Sequence, residues 1–121
     1  MDLSNFIILY VADIERSVEF YKPLLDRDPV EISGEFALFT SHSGMRFGLS
    51  KASLHCSELN SEFSAKMELC FEQPNEITLQ MNLIKWRELG VTFIEELTKA
   101  NFKTSFTTLD PDGHKLRIFC Y

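Results

Sequence analysis

The spacing of apolar residues switches between a strand-like and a helix-like pattern, and this predicts the order of the elements. Residues 6–11 are almost continuously β-branched or aromatic, which predicts a strand buried on both faces. From Ile14 to Leu25 the apolar side chains recur every three or four residues, which predicts a helix with Asp13 as its N-cap. Pro23 predicts that the last turn of this helix is distorted or ends early.

Three short strands are predicted after this helix, because β-rich runs are separated there by turn-forming residues. The strands are Pro29–Ile32, Phe36–Thr40 and Arg46–Leu49, with turns at Ser33-Gly34 and Ser43-Gly44. Polar residues 51–63 follow, and we interpret them as a linker.

The same order of elements then repeats, with a turn at Asp110-Pro-Asp-Gly before the last strand. The predicted elements are a strand at Lys66–Glu72, a helix at Ile77–Leu89 and strands at Val91–Glu95, Phe102–Leu109 and Lys115–Cys120. The chain is therefore predicted to be an α+β protein of two βαβββ modules, at about residues 5–50 and 64–121. Because a module of about sixty residues buries little surface alone, we expect the two to pack as one domain.

Charge and composition narrow the classes of partner. The 121 residues include 18 acidic and 12 basic side chains, which gives a net charge of −6. Without a cluster of lysine and arginine, this charge disfavours nucleic acid and anionic membranes as partners. The apolar runs are too short to cross a bilayer, and residues 1–5 lack the basic start of a secretory signal. We therefore expect a cytoplasmic protein that binds neither nucleic acid nor membrane.

The cysteines and histidines form no disulfide framework and no zinc motif, because their number and spacing fit neither. We interpret the three cysteines as buried, reduced thiols: Cys56, Cys70 and Cys120. The three histidines fall in predicted turns or in the linker and are interpreted as incidental: His42, His55 and His114.

Two motifs carry a resemblance to a known family. In Leu9–Tyr21 a strand is followed by Asp13 and a helix containing Ser-x-x-Phe-Tyr. In 86–93 the sequence is Trp-Arg-Glu-Leu-Gly-Val-Thr-Phe, and the Asp-Pro-Asp-Gly turn follows within 106–119. Together they resemble the vicinal oxygen chelate superfamily, which includes glyoxalase I, the bleomycin-resistance proteins and the extradiol dioxygenases. The resemblance spans nearly the whole chain, is closest to the bleomycin-resistance branch, and implies curved mixed sheets enclosing a cleft, and a homodimer.

The resemblance also implies where a divalent metal would be bound. In the superfamily, His, Gln and Glu side chains on the first and fourth strands of each module hold the ion. Counting from the motifs places these four positions at Phe6, Gly48, Glu68 and Arg117. Only a glutamate among these could bind a cation, so we expect no metal cofactor.

The alternation of side chains along a strand predicts which residues share the cleft face with these positions. Aromatic walls with a few fixed polar groups are typical of small-molecule sites. The predicted ligand-binding residues are Phe6, Tyr10, Arg46, Glu68, Cys70, Arg117 and Phe119. The opposite, more aliphatic face is expected to pack under the helices.

Other roles for these residues stay open at this point. Phe6 and Phe119 could fill a collapsed core, and Trp86 is more typical of packing than of stacking on a ligand. Glu68 and Arg117 could pair with each other, since a lone buried charge is costly. An acid–base set of Tyr10, Cys70 and Glu68 finds no support in the sequence.

The functional hypothesis is metal-independent binding or sequestration of a small aromatic or cationic molecule, as in antibiotic resistance. The alternatives are a metal-dependent lyase or dioxygenase of the same superfamily with a displaced metal site, and an interaction module whose cleft is filled by its own side chains.

Overall fold

The computed structural model describes residues 6–41, 44–52 and 67–121. They form two compact units that divide between residues 60 and 61, and each is described by itself. Module one contains β1 (Phe6–Val11), α1 (Ile14–Leu25), β2 (Glu31–Ile32), β3 (Phe36–Thr40) and β4 (Arg46–Lys51). Module two contains β5 (Glu68–Glu72), α2 (Glu76–Glu88), β6 (Thr92–Ala100), β7 (Lys103–Leu109) and β8 (Lys115–Cys120).

The predicted fold class is confirmed, since each module has the order βαβββ and a four-stranded mixed sheet. In module one the sheet order is β1-β4-β3-β2, and in module two it is β5-β8-β7-β6. The first and fourth strands of each module pair in parallel. A parallel pair needs a long crossover connection, and the connection here contains the helix. That the modules form one domain around a cleft stays a prediction.

The core of module one lies between the sheet and α1. Tyr21 of α1 is fully buried, with its ring centre 5.4 Å from that of Phe47 and 6.4 Å from that of Phe39. The buried sheet residues on this side are Leu9, Val11, Ala37, Phe39, Phe47 and Leu49. The prediction that the first strand is buried on both faces is wrong, because Phe6, Ile8 and Tyr10 on its other face are 37%, 43% and 37% exposed.

The first helix begins as predicted, because the Asp13 carboxylate accepts a hydrogen bond from the backbone N–H of Arg16 at 3.2 Å. It continues through Pro23 to Leu25, so the predicted early end is wrong. Pro23 lies in the last turn, where its missing N–H costs one backbone hydrogen bond and only two helical residues follow it. Asp26 ends the helix in the left-handed conformation, with φ of 54°.

The core of module two lies between its sheet and α2. Trp86 is buried and meets the ring of Phe106 edge-on, with ring centres 5.8 Å apart, so its role is packing. The other buried apolar residues of this core are Leu69, Leu79, Leu116, Ile118 and Cys120.

At the hairpin between β6 and β7 the strand ends differ from the prediction. The sixth strand has nine residues, Thr92–Ala100, and is longer than the predicted Val91–Glu95. The seventh starts at Lys103 rather than Phe102, which is 98% exposed. Asn101 and Phe102 have positive φ values of 52° and 64°, as the two central residues of a type I′ turn require. The alternation of phenylalanine and threonine includes Phe102, and the turn contains no glycine. For these two reasons the sequence placed Phe102 in the strand instead of the turn.

Two strands of module one have ends that differ from the prediction. The second strand is shorter than predicted, Glu31–Ile32, and the fourth extends to Lys51. The predicted linker lies outside the described residues beyond Ala52, as do His42, His55 and Cys56. Within the described part of the chain, no helix is long and apolar enough to span a membrane.

Candidate functional site

An ionic cluster centred on Arg117 occupies the face of the module two sheet that points away from α2. The Nε atom of Arg117 donates to Glu68 Oε1 at 2.8 Å. Its Nη1 atom donates to Glu95 Oε1 at 3.1 Å and to Ser105 Oγ at 3.4 Å. One side chain of β8 therefore links β5, β6 and β7, and we call these four residues the Arg117 cluster.

The strand register explains why these residues meet. Arg117 lies opposite Cys70 on one side and Thr107 on the other. The register of β6 shifts on both sides of Glu95, between Phe93 and Glu95 and between Glu95 and Thr98. These irregularities place Glu95 on the cluster face, where its Oε1 atom also accepts from Thr107 Oγ1 at 3.4 Å.

Two cluster residues were missing from the predicted site. Glu95 sits at a bulge, and strand alternation does not reveal where a bulge falls. Ser105 lies opposite Phe119 and so shares its face. Its small hydroxyl carried no chemical signal in the sequence.

The electrostatics of the cluster keep Glu68 and Arg117 charged. The hydrogen bond from Arg117 lowers the pKa of Glu68, against the opposing effect of burial. The same hydrogen bond raises the pKa of Arg117, which stays charged. Side-chain exposures of 33% for Glu68 and 28% for Arg117 leave the pair accessible from solvent.

Cys70 adds a thiol to this face. Its Sγ atom lies 3.5 Å from Glu68 Oε1 and donates to it. Burial, and then the hydrogen bond to Glu68, raise the pKa of the Cys70 thiol. A more acidic glutamate beside a less acidic thiol is a poor acid–base pair near neutral pH, so the acid–base set gains no support.

The prediction of buried thiols is wrong for Cys70, whose residue is exposed. It is correct for Cys120, which is buried and free. The difference follows from strand parity, because the two cysteines lie on opposite faces of the same sheet.

Phe119 extends the cluster face along β8. Its ring is partly exposed and meets that of Tyr121 edge-on, with centres 5.7 Å apart. The ammonium group of Lys103 lies 5.0 Å from the Phe119 ring centre. The ring face of Phe119 thus already holds a cation.

Module one carries the other predicted site residues on one sheet face. Phe6 lies opposite Arg46, and the guanidinium of Arg46 is 5.2 Å from the ring centre of Phe6. Phe6 and Tyr10 are each 37% exposed, and Ile8 between them is 43% exposed, so within the described structure they do not form a collapsed core. The structure therefore groups Phe6, Tyr10 and Arg46 on one sheet, and Glu68, Cys70, Arg117 and Phe119 on the other. Their binding of a ligand stays a prediction.

The four counted metal positions do not fit a divalent cation. Phe6 and Gly48 offer no donor atom, and Arg117 brings a positive charge that holds Glu68. At Gly48 an added Cβ atom would lie 2.7 and 2.8 Å from two ring atoms of Phe36, so a larger side chain meets that ring. The described residues contain no group of three His, Cys, Asp or Glu side chains placed to hold a metal ion.

Comparison with known proteins supplies the family. The glyoxalase-like domain family matches residues 4–120. The phenazine antibiotic resistance protein EhpR of Enterobacter agglomerans is 24% identical over 117 residues, which cover 94% of this chain and 88% of that protein. The solution structure of a protein from Agrobacterium tumefaciens is 34% identical, with a TM-score of 0.82 over 100% of this chain and 98% of that one.

A more distant structure shares the fold alone. It is a glyoxalase/bleomycin resistance protein/dioxygenase family enzyme from Burkholderia phytofirmans, 17% identical, with a TM-score of 0.79 over 96% of each chain. The family match covers nearly all residues of both modules, which agrees with the two motifs found in the sequence. The chain belongs to the glyoxalase-like domain family and, with it, to the vicinal oxygen chelate superfamily.

Proposed function

We propose that this protein binds a small planar aromatic molecule of the phenazine type without a metal ion, and so sequesters it. The observation that carries the proposal is the position of Arg117. Its guanidinium lies between Glu68 and Glu95, at a position that the motif count assigns to a metal ligand of the superfamily. The similarity to a phenazine antibiotic resistance protein supports this class of ligand.

The Arg117 cluster retains polar groups that a ligand can use. Nε and Nη1 of Arg117 are engaged, whereas Nη2 has no hydrogen-bond partner among the described residues. Its N–H groups suit an acceptor such as a heterocyclic nitrogen or a carbonyl oxygen. Two carboxylates around one guanidinium make an anionic ligand group the less favourable choice.

The aromatic residues support the apolar part of the proposal. Phe6 lies under Arg46, and Phe119 lies under Lys103. Each ring face holds a positive charge of the protein itself, which shows that these positions favour a cation. A cationic or electron-poor aromatic ring would bind there by displacing Arg46 or Lys103. This agrees with the aromatic or cationic ligand expected from the sequence.

The experiment is a calorimetric titration with phenazine and with the cationic 9-aminoacridine, before and after treatment with a chelator. We expect saturable binding of at least one compound, unchanged by the chelator, in protein free of stoichiometric metal by elemental analysis. Arg117→Met should weaken the binding of phenazine, whose ring nitrogens accept hydrogen bonds, whereas Arg87→Met removes an arginine of α2 outside the Arg117 cluster and should not.

Two results would contradict the proposal. Absence of binding by both compounds would refute the ligand class. Stoichiometric zinc, nickel, iron or manganese, together with chelator-sensitive binding, would favour a metal-dependent lyase or dioxygenase instead.

The homodimer expected from the resemblance is a further part of the proposal. Light scattering coupled to size-exclusion chromatography measures it directly. A mass near the 14.0 kDa of one chain would refute it.

A further inference from the structure

The outer face of α2 carries large apolar side chains. Ile77, Met81 and Ile84 are 74%, 65% and 57% exposed. Their spacing of four and then three residues places them on one face of the helix. Leu79 and Trp86 are buried on the opposite face, which belongs to the core of module two. The helix is therefore apolar on both sides, and we call Ile77, Met81 and Ile84 the α2 stripe.

The equivalent helix of module one has a different outer face. Both helices bury one face in the core of their own module. The exposed residues of α1 are all charged, and they are Glu15, Arg16, Glu19 and Lys22. The repeated topology therefore does not require an apolar outer face. A contiguous row of exposed apolar side chains is typical of an interaction surface.

The α2 stripe is short and ends at polar residues. Asn75 caps the helix before it, and Glu88 occupies the next position of the same face after it. A patch of this kind exposes roughly a few hundred Å². Specific interfaces bury about 800 Å² on each partner, so we expect a contact centred on the stripe to dissociate on dilution.

The charges along α2 fit a second copy of the same helix in the reverse direction. The first turn carries Glu76, and the last turn carries Lys85 and Arg87. Across a twofold axis, two antiparallel copies of α2 bring the acidic end of one to the basic end of the other. Glu76 and Arg87 also contact Lys99 and Glu96 within module two. The end charges would therefore orient the two helices, and the apolar stripe would supply most of the affinity.

We infer that the α2 stripe binds a second copy of this chain, with the two helices antiparallel and Met81 close to the twofold axis. Met81 is the middle residue of the stripe, so it lies at the centre of such a contact. The inference rests on the homodimer part of the proposed function and deepens it by naming the surface. It does not depend on the ligand, because the Arg117 cluster lies on the face of the same sheet that points away from α2.

The test is sedimentation velocity of the full chain over a series of protein concentrations. Met81→Glu and Met81→Lys should each raise the dissociation constant of the dimer about tenfold or more, because two like charges would meet in an apolar contact. An equimolar mixture of the two variants should recover association, since a glutamate then faces a lysine across the axis. Val30→Glu changes an apolar residue of module one that is 59% exposed, and this control should associate as the wild type does.

Thermal melts of each variant show whether the folded protein is being compared. A wild-type mass of one chain at every concentration would overturn both the α2 contact and the homodimer. A dimer that neither Met81 variant weakens would overturn the α2 contact and leave the homodimer standing. Variants that stay dissociated when mixed would refute the antiparallel pair, because Met81 would then meet a different surface. Unchanged association with a much lower melting temperature in Met81→Glu would show that the stripe is covered within its own chain, which also refutes the inference.

Discussion

The two modules repeat one topology but differ on the sheet face that points away from the helix. In module one this face is aromatic and apolar, with Phe36 covering Gly48. In module two the face is ionic, with Arg117 joining Glu68 and Glu95. The positions that the motif count assigns to metal ligands are Phe6 and Gly48 in module one, and Glu68 and Arg117 in module two.

The difference separates what the fold requires from what it leaves to the sequence. The helix-facing sides of both sheets are buried and apolar, because they form the cores. The other faces can vary widely, because no helix of the same module covers them.

The largest expected effect tests whether the helix-facing cores of the two modules contribute equally to the stability of the protein. Phe39→Ala in module one and Phe106→Ala in module two each remove a fully buried ring, so each should cost about 3–5 kcal/mol of unfolding free energy. Urea denaturation measures both. Phe102→Ala, at the exposed hairpin turn, is the control and should cost far less. A loss several-fold smaller in one module would show that the two cores do not contribute equally.

The second prediction concerns the ionic face alone. Arg117→Met removes three hydrogen bonds and leaves two carboxylates without their partner, and we expect a loss of about 1–2 kcal/mol. The value is below that for a fully buried network because the Arg117 side chain is 28% exposed. Arg87→Met breaks a more exposed ion pair with Glu96 and should cost less than about 1 kcal/mol. Equal losses would mean that the Arg117 cluster is no more than an ordinary surface pair.

Much of this contrast could be predicted from the sequence. The apolar spacing of α1 and the alternation along β8 predicted which face of each element is buried, because both follow from fixed backbone periods. The exceptions are the last turn of α1, where Leu24 rather than Leu25 is buried, and β1, which is buried on one face only. The pairing of Glu68 with Arg117 was one of the alternatives left open, and the structure brings the two together.

The features that the sequence did not predict have no periodic pattern along the chain. Glu95 reaches the cluster through irregular pairing of β6, and Phe102 enters a turn without a glycine. The contact of Phe36 with Gly48 needs the diagonal lean of a side chain between strands, which the residue order does not encode. Each error or omission therefore lies where tertiary geometry overrides a local pattern.

The third prediction uses pH to isolate Glu68 from the rest of the ionic face. The hydrogen bond from Arg117 lowers the folded-state pKa of Glu68 below its ordinary value of 4.5. A carboxyl group whose pKa is lower in the folded protein stabilises the fold at pH values above its pKa in the unfolded chain. This contribution is lost as the pH falls through the pKa of the folded state. The free-energy difference between wild type and Glu68→Gln should be about 0.5–1 kcal/mol at neutral pH, allowing for solvent screening.

This difference should shrink below pH 4.5, and carboxyl NMR titration of Glu68 gives the folded-state pKa directly. The matched control is Glu88→Gln on α2, which lies outside the Arg117 cluster. A difference that persists unchanged into strong acid would show that Glu68 stabilises the sheet by packing rather than by charge.

The smallest effect is kinetic and uses Cys70 as a reporter on the ionic face, since the described strands of module one contain no cysteine. Burial and the hydrogen bond to Glu68 raise the pKa of the Cys70 thiol, so its thiolate fraction at pH 8 is low. Alkylation by iodoacetamide, followed by peptide mass spectrometry, should be slower at Cys70 in the folded protein than in urea. Glu68→Gln should speed it, because it removes the carboxylate, whereas Cys120 should stay unlabelled until unfolding. Equal Cys70 rates in wild type and Glu68→Gln would show that the carboxylate does not control the thiol, and the ionic face would then reduce to the contacts of Arg117 alone.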